Sequence, residues 1–306
     1  MKNVLEREVS QGGSGLRFAP ELIACLEEKA YEIRTLAIKL MAHGELGHPG
    51  GSLSEAELLA ALYFYELRLD PTRPDWQDRD RFVLSKANAC SAQYAALALR
   101  GFFPIDECFT YGCINSRLQS HPDMTKTPGV DMTGGSLGQA FSAAAGMAWT
   151  FRHQGRFNHV YCLIGDGECQ EGQIWEAAMW TPHQRLDNIT VIIDYNKVQA
   201  KGYVAEEVGI EPLGDKWRAF GWQVLEIDGH DIAEILPAFH RARWMQRTGR
   251  PTVIIAHTVK GKGVPWMEFN PRWHTHAPTS DDAERALSDL AEYYHRPRKG
   301  GLGRWN

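Results

Sequence analysis

Two oxygen-bearing side chains, Asp166 and Asn196, stand thirty positions apart, each just after a short apolar run. The first run, Val160 to Ile164, ends in Gly165-Asp166-Gly167. The second, Ile189 to Ile193, ends in Asp194-Tyr195-Asn196-Lys197. Both runs read as buried strands, and Glu171 to Arg185 between them reads as a helix. Ligands of open α/β sheets sit beyond the carboxyl ends of strands, at a switch point. A carboxylate and an amide oxygen at two such ends, beside a glycine-opened turn and a helix start, suit a hard cation carrying phosphate oxygens. A lone Gly-Asp-Gly is an ordinary turn. The whole stretch from His159 to Tyr203 is what points to a diphosphate–magnesium site.

A second group of candidates is histidine. His48, His121, His257 and His274 all fall in loops bounded by glycine or proline. Neutral imidazole both donates and accepts hydrogen bonds and shuttles protons near neutral pH. His257 directly follows an apolar run, where supporting the loop is role enough. Lys260 and Lys262 lie in a glycine loop, where a lysine either attracts phosphate or is merely solvated. Glu171 is a first-turn helix acid, favourable at the positive helix end.

The elements that must position these residues alternate. Glu21 to Met41 repeats apolar residues at helical spacing, and Gly44 to Gly51 breaks that helix into a loop. Ser54 with Glu57 three positions on has the form of a capping box for a helix reaching Leu67. Strands are expected at Arg81–Ser85, Gln223–Ile227 and Thr252–Ala256. Helices are expected at Ser91–Arg100, Gln139–Arg152, Trp217–Phe220 and Ile232–Gln246, the last with an interruption near Pro237. This alternation predicts one α/β domain over residues 18–290, a doubly wound, mostly parallel sheet flanked by helices. Residues 1–17 read as a flexible arm, and 291–306 as a basic tail.

Composition narrows the class. Of 306 residues, 43% are hydrophobic and 23% charged, which fits a globular enzyme subunit. The net charge of -5 gives no reason to expect nucleic acid or a membrane surface as partner. No segment reads as a bilayer span or a secretory signal, so cytoplasm is the expected location. The six cysteines form no CxxC pair, which favours free thiols over a zinc site or disulfides.

Gly-Asp-Gly followed about thirty residues later by asparagine resembles the thiamine diphosphate signature. With Gly47-His48-Pro49-Gly50, Arg79 to Lys86 (RDRFVLSK), His121-Pro122-Asp123 and Lys260-Gly261-Lys262-Gly263, the chain resembles the amino-terminal half of transketolase from about Phe18 to Leu290. The resemblance implies a thiamine-diphosphate-binding fold of the diphosphate-binding type. It implies a divalent ion held by Asp166, Asn196 and the Val198 carbonyl; magnesium fits, and calcium suits a roomier site. Gly165 and Gly167 would flank the diphosphate, with Gly167 offering its amide. Gly135 and Leu137 would touch the cofactor rings. His48, His121 and His274 would contact cofactor phosphate or the hydroxyls and carbonyl of a sugar. Glu171 would link two cofactor sites across a dimer.

The chain also departs from that pattern. Where the family usually has Gly-His after the RDRFVLSK segment, this chain has Ala87-Asn88. Asparagine hydrogen-bonds an oxygen but carries no proton at neutral pH. Thr275-His276 replaces a Gly-Lys found in many split members. Both departures point towards a specialised ketose donor. Thiamine catalysis also needs a carboxylate against the aminopyrimidine ring, which transketolases carry in a later domain. The resemblance therefore implies one half of a split enzyme. A separately encoded C-terminal subunit with the pyrimidine-binding domain would complete an α2β2 assembly that transfers a two-carbon ketol unit from an anionic ketose to an aldehyde acceptor. The alternatives are the alpha subunit of a 2-oxo-acid dehydrogenase, a 1-deoxyxylulose-phosphate synthase, and a nonenzymatic regulatory subunit that keeps the fold.

Overall fold

The computed structural model describes residues 10–12 and 15–295. Its centre is a five-stranded, all-parallel sheet built from β3 (Arg81–Leu84), β4 (Val160–Gly165), β5 (Ile189–Tyr195), β6 (Gln223–Asp228) and β7 (Thr252–His257). The spatial order is β3-β4-β5-β7-β6, so β7 lies between β5 and β6. A separate antiparallel pair, β1 (Ser10–Gly12) and β2 (Gly15–Arg17), precedes the first helix. The proposed arm thus contains paired backbone where it is described; residues 1–9 lie outside the described residues.

Side-chain alternation explains why the sheet is covered on both faces. Phe82, Leu84, Tyr161, Leu163, Ile192, Ile254 and Ala256 join one core. Val83, Val160, Cys162, Ile164, Val191, Ile193, Val253 and Ile255 join the other. Successive strand residues point to opposite faces, and an all-parallel sheet must bury both. Each fully buried aliphatic side chain contributes about 1.5–3 kcal/mol, so the two faces together dominate the stability of the fold.

The first face is covered by α1 (Pro20–Gly44), α3 (Ala56–Ala61), α4 (Cys90–Arg100) and the later α9 (Ile232–Trp244), while the short α2 (Pro49–Ser54) places Leu53 in a separate, smaller cluster. The second is covered by α5 (Gln139–His153), α6 (Gly172–His183) and α8 (Leu213–Ala219), with short α7 (Val204–Glu207) before α8. In α5 the small residues Ala140, Ala144, Ala145 and Ala148 are buried, allowing close approach to neighbours. The chain leaves β3 and β6 towards the first face but β4 and β5 towards the second. Crevices therefore open beyond the carboxyl ends of the strands. The final helix, α10 (Ser280–His295), packs through Ala286 and Leu290 on Ile38 of α1 and on Val264, Met267 and Trp273 of the loop after β7. It includes residues 291–295 of the expected tail, whose remainder lies outside the described residues.

Three local expectations are corrected. The loop at residues 44–51 is shorter than expected, because Pro49 occupies the first helical position of α2, where its missing N–H costs nothing. Ser54 and Glu57 form no capping box. The Ser54 hydroxyl donates to Asp194 Oδ2 at 2.6 Å, with Gly51 O also within reach at 2.9 Å. Glu57 accepts both Arg34 Nη1 and Nη2, at 2.5 and 2.6 Å. Tertiary partners outcompete the local cap. Nor does Pro237 interrupt α9, which runs through it while Ile235, Leu236 and Phe239 stay packed in the core.

Candidate functional site

Asp166 begins the turn after β4, and Asn196 directly follows β5. The two strands are parallel neighbours, with Gly165 level with Asp194. This register brings the two expected oxygen donors to adjacent strand ends, on the wall of a cleft of about 250 Å³. Asp166 Oδ1 accepts from the Gly167 amide at 2.7 Å, and Oδ2 accepts from the Lys197 amide. Burial pushes the Asp166 carboxyl up to about 7 and Asp194 adds to the rise, while the two amides and Lys260 oppose it. A neighbouring cation would restore its charge. The Asn196 amide donates to Asp194 Oδ2 at 2.8 Å and accepts from Val198 N at 3.2 Å.

Lys260 supplies the local cation. Its Nζ donates to the Val198 carbonyl at 2.7 Å and stands 2.8 Å from His274 Nδ1. Burial lowers this ammonium to about 8, against the pull of Asp166 and Asp194. Lys262, its neighbour in the same glycine loop, instead lies 5.2 Å over the Tyr293 ring. The loop is held from behind by a buried relay. The Val259 amide donates to His230 Nε2 at 2.8 Å, and His230 Nδ1 lies 2.9 Å from Glu57 Oε2. Accepting at Nε2 leaves the His230 proton on Nδ1, directed at Glu57.

His48 and His274 meet edge to face, with ring centroids 5.6 Å apart. Burial first, then His121 and Lys260, lowers His48 to about 4. Burial, Lys260, His48 and Lys86 lower His274 to about 3. Both are therefore neutral at pH 7. The Nδ1 atom of His48 is buried and has no hydrogen-bond partner among the described residues, so a polar atom beside His274, which lines the cleft, remains to be satisfied. His121 lies on an exposed loop, and a Cβ built at Gly135 would come within 3.6 Å of its ring. Asn88, Leu137 and Glu171 line the same cleft, Leu137 and Glu171 with exposed side chains. Gly165 is also on the wall, but its amide is engaged by Glu168 Oε2 at 3.0 Å. His257 meets Tyr195 edge to face outside the cleft, at 5.2 Å between centroids.

Two central residues escaped the sequence reading. Lys86 Nζ reaches Gly51 O at 2.9 Å, Asp194 Oδ2 at 2.5 Å and Glu55 Oε2 at 2.8 Å. Glu168 accepts from Ser85 Oγ at 2.5 Å, Gly138 N at 2.7 Å and Gly165 N at 3.0 Å, which fastens three loops around the cleft. The available signals were a lysine directly after a strand and a carboxylate directly after Gly-Asp-Gly. All six cysteines are free, and the Sγ of buried Cys169 points to Gly165 O at 3.5 Å.

The donor set of Asp166, Asn196 and the Val198 carbonyl is all oxygen, which fits a hard divalent ion and not zinc or copper. Lys260 already places positive charge beside it. The residues present therefore fit a metal–diphosphate group.

Comparison with known proteins supports the thiamine diphosphate part of this reading. Residues 26–292 match the family described as transketolase, thiamine diphosphate binding domain. The chain is 47% identical over 265 residues to the 6-deoxy-6-sulfo-D-fructose transketolase subunit SqwG of Clostridium sp. (strain MSTE9), covering 87% of this chain and 96% of that one. It is 38% identical to an apulose-4-phosphate transketolase subunit of Actinobacillus succinogenes, again covering 87% and 96%. Among solved structures, transketolase from Campylobacter jejuni superposes with a TM-score of 0.80 at 30% identity, covering 87% of this chain and 42% of that enzyme. Transketolase from Leishmania mexicana gives 0.81 at 29% identity, with 89% and 42% covered. The chain thus spans less than half the length of those two enzymes but nearly the full length of the two subunits. With relatives named as transketolase subunits, the 2-oxo-acid dehydrogenase reading is not favoured. The chain belongs to the transketolase family, as a subunit carrying its thiamine diphosphate-binding domain.

Proposed function

We propose that this chain binds thiamine diphosphate through magnesium and, with a separately encoded pyrimidine-domain subunit, transfers a two-carbon ketol unit from an anionic ketose to an aldehyde. The observation that carries the reading is the meeting of Asp166, Asn196 and the Val198 carbonyl with Lys260 at one cleft. When bound, the cofactor supplies the carbon nucleophile that attacks the donor carbonyl. This chain's residues bind, orient and move protons. Asp166, Asn196 and Val198 O would hold the magnesium ion. Gly165 and Gly167 would flank the diphosphate, and Gly135 and Leu137 would meet the rings. His48, His121 and His274 would hydrogen-bond the sugar oxygens; the half-buried rings of His48 and His274, neutral at pH 7, can each donate one hydrogen bond and accept another. Asn88 would hydrogen-bond a donor oxygen without taking its proton. Glu171 would reach towards the second site of an α2β2 assembly in the cytoplasm.

The donor is a ketose with an anionic group at the end remote from the ketol. The 47% identical relative is named for 6-deoxy-6-sulfo-D-fructose, which makes that sugar the first choice, ahead of apulose 4-phosphate. The test is a donor panel assayed by product mass with several aldehyde acceptors, with and without the partner. The expected result is an aldose shortened by two carbons, formed only when the partner is present. Turnover by this chain alone would reject the split assembly. Preference for xylulose 5-phosphate with ribose 5-phosphate would reject the specialised donor.

A further inference from the structure

Asn196 presents an amide whose two ends have nearly the same shape but opposite chemistry: only the oxygen can ligate a cation. The hydrogen bonds around it choose the end. Nδ2 donates to Asp194 Oδ2 at 2.8 Å, and Oδ1 accepts from Val198 N at 3.2 Å. Turned over, the oxygen would face a carboxylate oxygen and the NH2 would face an N–H, so both contacts would become repulsive. Asp194 can impose this choice because it is itself fixed. It is fully buried, with Ser54 Oγ at 2.6 Å and Lys86 Nζ at 2.5 Å on Oδ2, and the Thr258 hydroxyl on Oδ1. These three donors come from α2, from the segment after β3 and from the segment after β7. They clamp the carboxylate from separate parts of the chain.

We infer that Asp194 is a positioning residue for the cation site, holding the Asn196 amide with its oxygen available to the ion. The inference deepens the magnesium reading above and rests on it. Asp194 is not on the cleft wall, so it acts through Asn196 and through the amide's orientation. Partners of this kind that orient a ligand typically change metal affinity 10–100-fold when lost.

The test is calorimetric titration of Mg2+ into the full chain with thiamine diphosphate present. Asp194→Leu should weaken magnesium about 10–100-fold. Ser54→Ala and Thr258→Val, which leave the carboxylate beside Asn196, should lower the melting temperature but change the affinity by less than about threefold. The decisive arm is Asn196→Asp, whose two oxygens are equivalent and need no orientation. In that background Asp194→Leu should cost less than about threefold. Should Asp194→Leu not fold, the Asn196 side-chain NH2 resonances of the unmodified chain decide instead. They should show slow hydrogen exchange and persist when magnesium is added; rapid exchange overturns the inference. An unchanged affinity in Asp194→Leu, or an equal loss with Asp at 196, also overturns it while leaving the magnesium reading standing. No magnesium uptake by the unmodified chain overturns that reading, and the inference with it.

Discussion

Gly134→Ala tests how tightly the two loops flanking the cleft are fitted together. Gly134 is not in the left-handed region, so an alanine there carries no backbone strain. The added Cβ, however, would lie 2.4 Å from the Ala87 Cβ and 3.4 Å from Leu84 O. Carbon atoms in contact prefer about 3.5–4.0 Å, so the loops must separate by more than roughly 1 Å. Gly134 N also donates to Pro122 O at 3.1 Å, and that separation would disturb the neighbouring His121 loop. Overpacking of this kind costs about 1–3 kcal/mol. With an unfolding entropy of about 2.1 cal/mol/K per residue, the melting temperature of 306 residues should fall by roughly 2–5 °C. Thiamine diphosphate affinity should fall as well, because the same loops carry Asn88 and Leu137. Ala87→Gly removes the opposing methyl, so the double variant should recover most of the loss. Scanning calorimetry of the four proteins completes the cycle. A Gly134→Ala melting temperature within about 1 °C of the parent, well short of the expected fall, or an Ala87→Gly change that only adds to the loss, would refute the reasoning.

Asp166→Ala and Asn196→Ala should each weaken magnesium-dependent cofactor binding, Asp166→Ala more because it also removes a charge; unchanged calorimetric affinities in both folded variants would sink the site. Lys260→Met should weaken inorganic diphosphate binding at least about tenfold, the loss of one charge-assisted contact of about 1.5–3 kcal/mol, as read by competition with thiamine diphosphate. NMR titration should show no His48 or His274 inflection between pH 5.5 and 8, since both groups are lowered from 6.5, to about 4 and about 3. Lowered folded values mean that protonation favours the unfolded chain. Their stabilising contribution is therefore complete above pH 6.5 and is lost as pH falls towards 4 and below; an inflection near 6.5 would contradict this. With a thiol reagent, Cys25 and Cys113 should react promptly and the four buried cysteines slowly; rapid modification of Cys162 or Cys169 would contradict their burial.

The sheet was legible because β4, β5 and β7 are apolar on both faces, which leaves short unbroken runs bounded by turn residues. The candidate site was legible in part because Asp166 and Asn196 occupy comparable strand ends, a one-dimensional signal that sufficed to place them at one cleft. The capping-box reading of Ser54 and Glu57 failed for the opposite reason. Their partners, Asp194 and Arg34, lie 140 and 23 residues away, and local spacing carries no information about them. Glu168 and Lys86 were overlooked on the same account. Each acquires its role only when the fold removes it from water and surrounds it with groups from distant segments. His48 stood out through its glycine- and proline-bounded loop, but its neutrality depends on burial and on the nearness of His121 and Lys260, none of which is visible before folding.

The placement of β7 between β5 and β6 has a consequence for biosynthesis. Translation delivers β6 before the strand that connects it to the sheet. Until residue 257 has left the ribosome, β5 shows an unpaired edge along Ile189 to Tyr195, and β6 has no strand partner at all. An exposed apolar edge is a template for pairing with another chain. The nascent protein is thus most prone to aggregate during the roughly sixty residues of synthesis between β5 and β7. A pause or truncation in that interval would leave the strand end bearing Asn196 without its neighbour.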